Sequence, residues 1–127
     1  MNSEKVIFAF FIVLALTLNF GFFIGDVDDP VHHDGMELAA ALVVSLIATV
    51  MKFGDRSQMG AVLLATSLVA DLQLLIAAGT WIWVTQVSET STLLEVMPRI
   101  VSLSGGALLA NLVSVTLLIA ETISIRR

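Results

Sequence analysis

Four long apolar stretches fill almost the whole chain, and they constrain its fold more than any other feature. They run approximately over residues 6–24, 36–51, 59–84 and 100–120. A helix needs about 20 apolar residues to cross a hydrocarbon core of about 30 Å, and the flanks of the shorter second stretch can extend it. A lipid-exposed backbone must also satisfy its own hydrogen bonds, which continuous apolar runs do as helices. The sequence predicts an all-α integral membrane protein, an antiparallel four-transmembrane-helix bundle.

Little polar sequence is left over for a second domain. Hydrophobic residues make up 57% of the 127 residues and charged residues 13%, so we predict one membrane domain over residues 1–127. Pro98 is expected where the fourth helix begins, a position that tolerates its missing N–H. We identify no heptad pattern. The predicted spans are about 5–25, 36–53, 59–85 and 99–123.

The basic residues are distributed very unevenly over the two sides of this bundle. Arg99 alone lies on one side, and the other side holds Lys5, Lys52, Arg56, Arg126 and Arg127. Because Lys and Arg concentrate on the cytoplasmic side of membrane proteins, both termini are expected there. Trp81 and Trp83 then lie at the outer end of the third span, where aromatic residues are enriched. We expect an integral protein of a bacterial inner membrane.

Composition also argues against an enzyme. The chain has no cysteine, which excludes disulfides, thiolate metal sites and cysteine nucleophiles. Its connections reach no more than about a dozen residues and leave little room for a catalytic site. We therefore predict a protein that is not an enzyme and that binds no nucleic acid.

One carboxylate is predicted near the membrane midplane. Counted from Gly60 at ~1.5 Å per residue, Asp71 lies about 16 Å into the third span. A carboxylate at that depth costs about 3 kcal/mol on insertion scales and usually faces a cavity, a partner or the bundle interior. One interpretation is an ion-coordinating or proton-carrying role. A second is a protonated Asp71 that links helices by a hydrogen bond to Asn111 or Ser67, and a third is that this depth is misassigned. The predicted pathway residues are Asp71, Asn111, Ser67, Gln73 and Asn19.

An acidic segment follows the first span. Five carboxylates and two imidazoles fall within twelve residues there: Asp26, Asp28, Asp29, His32, His33, Asp34 and Glu37. With Glu89 and Glu95, seven of the eleven acidic residues lie on the predicted outer side. The segment does not fit the EF-hand spacing. Three interpretations stay open: a solvated loop, an electrostatic funnel for cations, and a metal or pH-sensing site. Hard oxygen ligands weakly favour a divalent cation, and no other cofactor is expected.

Small residues four positions apart mark close helix contacts, since they allow two backbones to approach in lipid. The fourth helix has the clearest stripe, which suits either packing within one chain or contact between chains. The residues with this spacing are Gly21 and Gly25, Ala41 and Ser45, and Gly106, Ala110 and Ser114.

These features favour a homo-oligomeric inner-membrane cation channel or carrier, with an acidic outer mouth and a midplane carboxylate. Because four helices fill their own centre with side chains, a pathway would need several copies or a partner. In a ring of copies, the third or fourth helix would turn toward a shared axis. The alternative is an accessory or assembly subunit of a larger membrane transport complex, bound through the Gly106 stripe. The expected partners are the lipid bilayer, further copies of the chain, and a larger membrane or cytoplasmic regulatory protein.

Overall fold

The structure is a computed structural model that describes residues 3–24, 35–88 and 92–126, with side chains as far as residue 124. Its elements are helices α1 (Ser3–Phe23), α2 (Gly35–Lys52), α3 (Gln58–Ile82) and α4 (Leu93–Arg126), with a π-helical segment, Trp83–Val87, continuing α3. All four α-helices are long and apolar enough to cross a membrane. The prediction of an all-helical chain with four helices of this kind is confirmed.

Helix α4 begins at Leu93 and not near residue 99, so Pro98 lies inside the helix. The predicted start was wrong because a stronger signal precedes the proline. The Glu95 N–H donates to Thr92 Oγ1 (3.3 Å), and the Thr92 hydroxyl donates to Glu95 Oε1 (3.2 Å). A threonine followed three residues later by a glutamate is the spacing of a capping box, which marks a helix start.

Helices that follow one another in the chain pack together, and α1 also packs against α4, which closes the ring. Lys5 at the start of α1 pairs with Glu121 near the end of α4 at 2.9 Å. The Lys52 ammonium at the end of α2 lies 4.3 Å from the centroid of the Phe8 ring. These contacts define one end of the bundle, the basic end. At the other, the tryptophan end, the Trp81 ring packs on Phe22.

Most buried residues of each helix are separated alternately by three and four positions, the heptad spacing of coiled coils. They include Phe8, Ile12, Ala15, Asn19 and Phe22 on α1; Leu38, Ala41, Ser45 and Ala48 on α2; Gly60, Leu63, Ser67, Ala70, Leu74 and Ala77 on α3; and Ser104, Ala107, Asn111, Ser114 and Leu118 on α4. A heptad pattern is therefore present, although none was identified in the sequence. The outward faces are also apolar, with Phe10, Leu72 and Leu109 all exposed. Small and polar residues, and not hydrophobicity, mark the inward face.

Two hydrophobic clusters fill the core. The larger lies toward the tryptophan end and includes Phe22, Leu74 and Met97. The smaller lies toward the basic end and includes Phe8 and Leu63. Polar side chains occupy the middle of the bundle, where the two clusters meet.

Candidate functional site

Among the described residues, eight buried polar side chains form what we call the polar layer, and Asp71 is its one ionisable member. Asp71 is 4% exposed and Asn111 is fully buried. The members of the polar layer are Asn19, Ser45, Thr49, Ser67, Asp71, Ser104, Asn111 and Ser114. Three of the predicted pathway residues thus share the interior with Asp71, and the fourth, Gln73, is half-buried.

The partners of Asp71 come from α2. The Ser45 hydroxyl donates to Asp71 Oδ1 at 2.6 Å, and the Thr49 hydroxyl bonds Asp71 Oδ2. Ser45 and Thr49 are four residues apart, so they lie on the same face of α2. Sequence reasoning proposed Asn111 or Ser67 as partners, treated Ser45 only as a packing residue and missed Thr49. The available signal was two hydroxyls one helical turn apart in an otherwise apolar helix.

The Thr49 hydroxyl has two candidate acceptors, Asp71 Oδ2 and the Ser45 carbonyl oxygen. Thr49 Oγ1 also lies 2.9 Å from the Ser45 carbonyl oxygen, to which it can donate. A threonine hydroxyl has one proton, so it cannot fully serve both the Ser45 carbonyl and an ionised Asp71. If Asp71 carries a proton on Oδ2, it donates to Thr49 Oγ1 and all three contacts are satisfied.

No cation neutralises Asp71 within the part of the chain that the structure describes. The ion pairs found there with lysine, Lys5 with Glu121 and Lys52 with Asp55, both lie at the basic end. A buried carboxylate without a cationic partner is unfavourable when ionised. Within the described residues, the carboxyl of Asp71 is therefore bonded to neutral groups alone.

Away from Asp71, the polar side chains of the interior are less completely bonded. The Ser104 hydroxyl donates to Asn19 Oδ1 at 3.0 Å. Among the described residues, five buried side-chain atoms have no hydrogen-bond partner: Asn19 Nδ2, Ser67 Oγ, Gln73 Oε1, and Nδ2 and Oδ1 of Asn111. Leaving such a group unpaired costs about 1–3 kcal/mol. The interior therefore offers both donors and acceptors that other protein groups do not use.

The small-residue stripe of α4 faces α3. Ser114 Oγ and Thr66 Oγ1 form a hydrogen bond of 2.5 Å. A Cβ added to Gly106 would lie 2.5 Å from Gln73 Nε2, so Gly106 makes room for that amide. Ala110 packs at the edge of the larger cluster. These contacts place the stripe inside the chain.

Part of the predicted outer site falls outside the described residues, namely Gly25, Asp26, Asp28, Asp29, His32, His33, Asp34 and Glu89. Glu37 is described, and its carboxylate packs over Gly21 of α1, where a Cβ would collide with it. Glu95 belongs to the cap of α4. Within residues 3–24, 35–88 and 92–124, no three His, Cys, Asp or Glu side chains are grouped so that they could hold a metal ion.

Residues 32–122 match the model of DUF6394, a family of unknown function. The chain belongs to this family. The match spans α2, α3 and most of α4, and it includes every member of the polar layer except Asn19. No curated protein and no solved structure matches this DUF6394 chain.

Proposed function

We propose that this DUF6394 protein is an inner-membrane carrier that moves a small monovalent cation, most simply a proton, by binding it at Asp71. The observation that carries the proposal is a buried carboxyl without a cationic partner, held between two hydrophobic clusters at the centre of the bundle. Buried acids in membrane helices usually serve transport or proton transfer.

Several features support a membrane location and one orientation. The four helices are long and apolar enough to span a bilayer, and large apolar side chains such as Phe10 and Leu72 are exposed on their outward faces. Lys5, Lys52 and Arg56 lie at the basic end, which we assign to the cytoplasm together with both termini. The acidic segment before α2 would then attract cations to the outer surface.

A carrier fits the packing better than an open channel. The larger cluster separates Asp71 from the tryptophan end, and the smaller cluster separates it from the basic end. Side chains this deeply buried do not line an axis between copies, as a ring-shaped channel would require. We still expect a homo-oligomer, in which each subunit holds its own binding site. Alternating access would require the two clusters to loosen in turn.

The ligands of the site favour a single positive charge. Asp71 supplies one carboxylate, and Ser45 and Thr49 supply hydroxyls. Divalent calcium usually takes six to eight oxygen ligands, commonly with several carboxylates. A proton needs one oxygen, and on Asp71 Oδ2 it completes the hydrogen bonds with Thr49 and the Ser45 carbonyl. We therefore assign the proton ahead of the divalent ion that the acidic segment favoured.

The alternative of an accessory subunit has less support. The surface proposed for the larger partner was the Gly106 stripe, and α3 occupies it through Thr66 and Gln73.

The test is proton flux into proteoliposomes that contain the purified protein and a trapped pH-sensitive dye, driven by a potassium diffusion potential. We expect flux from the wild type and a loss of at least about tenfold in Asp71→Asn, because a neutral amide cannot exchange a proton at this position. Glu121→Gln is the matched control, since it also converts a carboxyl to an amide but lies at the basic end; its flux should equal that of the wild type. Circular dichroism and gel filtration would establish that each variant is folded.

Equal flux from the wild type and Asp71→Asn would remove Asp71 from the pathway. Folded wild-type protein that passes neither protons, Na⁺ nor K⁺ would contradict the carrier, and copurification of a stoichiometric membrane partner would then favour the accessory subunit.

A further inference from the structure

The basic end carries a cavity of about 630 Å³ between the start of α1 and the turn that joins α2 to α3. Phe8 and Met51 give it an apolar floor. Its charged lining consists of two acids and two bases: Glu4, Lys52, Asp55 and Arg56. The cavity thus combines apolar surface with balanced charge at the level where a bilayer would place its headgroups.

A second, wholly apolar groove of about 350 Å³ runs along the outward face of α2. Val43, Leu46, Ile47, Val50 and Met51 line it. Met51 lines both the groove and the charged cavity, so the two adjoin at this residue. The charged cavity and the apolar groove therefore lie side by side at the end of α2.

Lys52 and Arg56, the two bases of the cavity, differ in their contacts with other residues. The Lys52 side chain is only 12% exposed, and its ammonium lies 3.5 Å from Asp55 Oδ2 and 4.3 Å from the centroid of the Phe8 ring. Arg56 is exposed and pairs with no acid among the described residues. A guanidinium presents several donors in one plane, which suits a phosphate group. Arg56 is therefore the available anion-binding group, beside a lysine whose position is fixed.

We propose that the cavity and the groove bind one glycerophospholipid whose headgroup carries a primary amine, as in phosphatidylethanolamine. The phosphate pairs with Arg56 and Lys52, the ammonium lies toward Glu4 and Asp55, and an acyl chain follows the groove. Two cations facing two carboxylates complement a headgroup that holds both charges better than one with a net negative charge. A primary amine can also donate hydrogen bonds to carboxylates, which a choline group cannot. This site is separate from Asp71 and does not depend on transport.

The test is native mass spectrometry of the full-length protein in detergent, with phosphatidylethanolamine, phosphatidylcholine and phosphatidylglycerol of identical acyl chains. We expect phosphatidylethanolamine to be retained best, and Arg56→Gln to lower its retention about fivefold, the upper range for a solvent-exposed ion pair. Arg99→Gln is the matched control, an exposed arginine at the tryptophan end, and it should change retention by less than about twofold.

Two further experiments distinguish binding of the whole lipid from binding of its headgroup alone. Val50→Gln places an amide in the groove at an exposed position, and it should weaken binding of the lipid. Glycerophosphoethanolamine and inorganic phosphate, which have no acyl chains, should not displace the lipid at equal concentration. The proposal is overturned if Arg56→Gln and Arg99→Gln retain the lipid equally, or if Val50→Gln binds it as the wild type does. Best retention of phosphatidylglycerol or phosphatidylcholine would also overturn it, as would displacement of the lipid by either chain-free compound.

Discussion

Asp55 and Asp71 are the same side chain in two contrasting surroundings. Asp55 Oδ1 accepts from the Ser57 N–H (2.9 Å) and the Ser57 hydroxyl (2.7 Å), while Lys52 lies 3.5 Å from Oδ2. All these partners are within three residues of Asp55. The partners of Asp71 lie 26 and 22 residues away, on another helix.

The contrast shows how the origin of the contacts determines what each carboxyl can do. Hydrogen bonds from Ser57, together with the nearby Lys52 charge, hold the pKa of Asp55 below its ordinary value. Asp55 therefore stays ionised and organises the turn before α3. Asp71 has neutral hydrogen-bond partners and no cationic partner among the described residues. Local contacts build the turn at Asp55, whereas tertiary contacts hold Asp71 inside the bundle.

The largest expected effect tests the tertiary contacts of Asp71. Asp71→Val removes the group that bonds Ser45 and Thr49, so the free energy of unfolding should fall by about 2 kcal/mol. Asp71→Asn keeps a carbonyl acceptor and an N–H donor and should stay within about 1 kcal/mol of the wild type. Reversible unfolding in mixed detergent micelles measures both. Equal stability of the two variants would mean that the hydrogen bonds of Asp71 contribute little.

The second prediction tests the local contacts of Ser57, and the expected loss of stability is smaller than for Asp71→Val. The Ser57 hydroxyl accepts from the Gly60 N–H (2.9 Å) and donates to Asp55, so Ser57→Ala removes the cap of α3 and should cost about 1 kcal/mol. Hydrogen exchange at the Gly60 amide should become faster. Ser102→Ala, at an exposed position of α4, is the control and should leave that exchange unchanged. Unaltered Gly60 exchange in Ser57→Ala would contradict the cap.

A third substitution compares Asp71, which has hydrogen-bond partners, with Asn111, whose buried amide has none among the described residues. Asn111→Leu replaces an amide whose buried donor and acceptor have no partner among the described residues with an apolar group of similar volume. We expect the free energy of unfolding to stay level or to rise by up to about 1 kcal/mol. The same unfolding experiment measures it. A loss as large as that of Asp71→Val would show that Asn111 is bonded in the membrane and belongs to the same network.

The smallest effect concerns the charge of Asp55. Because its pKa is lowered by folding from 3.8, its ionised form adds stability above that pH, and the contribution is lost as the pH falls through the folded-state pKa. The side chain is exposed, so Asp55→Asn should cost less than about 0.5 kcal/mol at neutral pH. The difference between wild type and variant should disappear in acid. A difference that grows on acidification would reverse the assigned direction.

Particular residues show which features the sequence could predict. The depth of Asp71 follows from counting along α3, and the local turn at Asp55 follows from residues next to one another. The start of α4 could also have been predicted, since Thr92 and Glu95 have the spacing of a capping box. The inward face of each helix was harder to identify, because Phe10 and Leu72 on the outward faces are as apolar as the core. Hydrophobic periodicity is weak when both faces are apolar.

The sequence by itself determined that the chain forms four apolar helices, where basic residues gather, and that one carboxyl lies near the middle of α3. These properties depend on the length and composition of each segment, because helical hydrogen bonds are local. Only the tertiary structure decided that α2 turns Ser45 and Thr49 toward Asp71, that α3 covers the Gly106 stripe and that Asn111 is buried without a described partner. The rotation of each helix about its axis depends on how small side chains on neighbouring helices fit together. A single apolar helix does not contain that information.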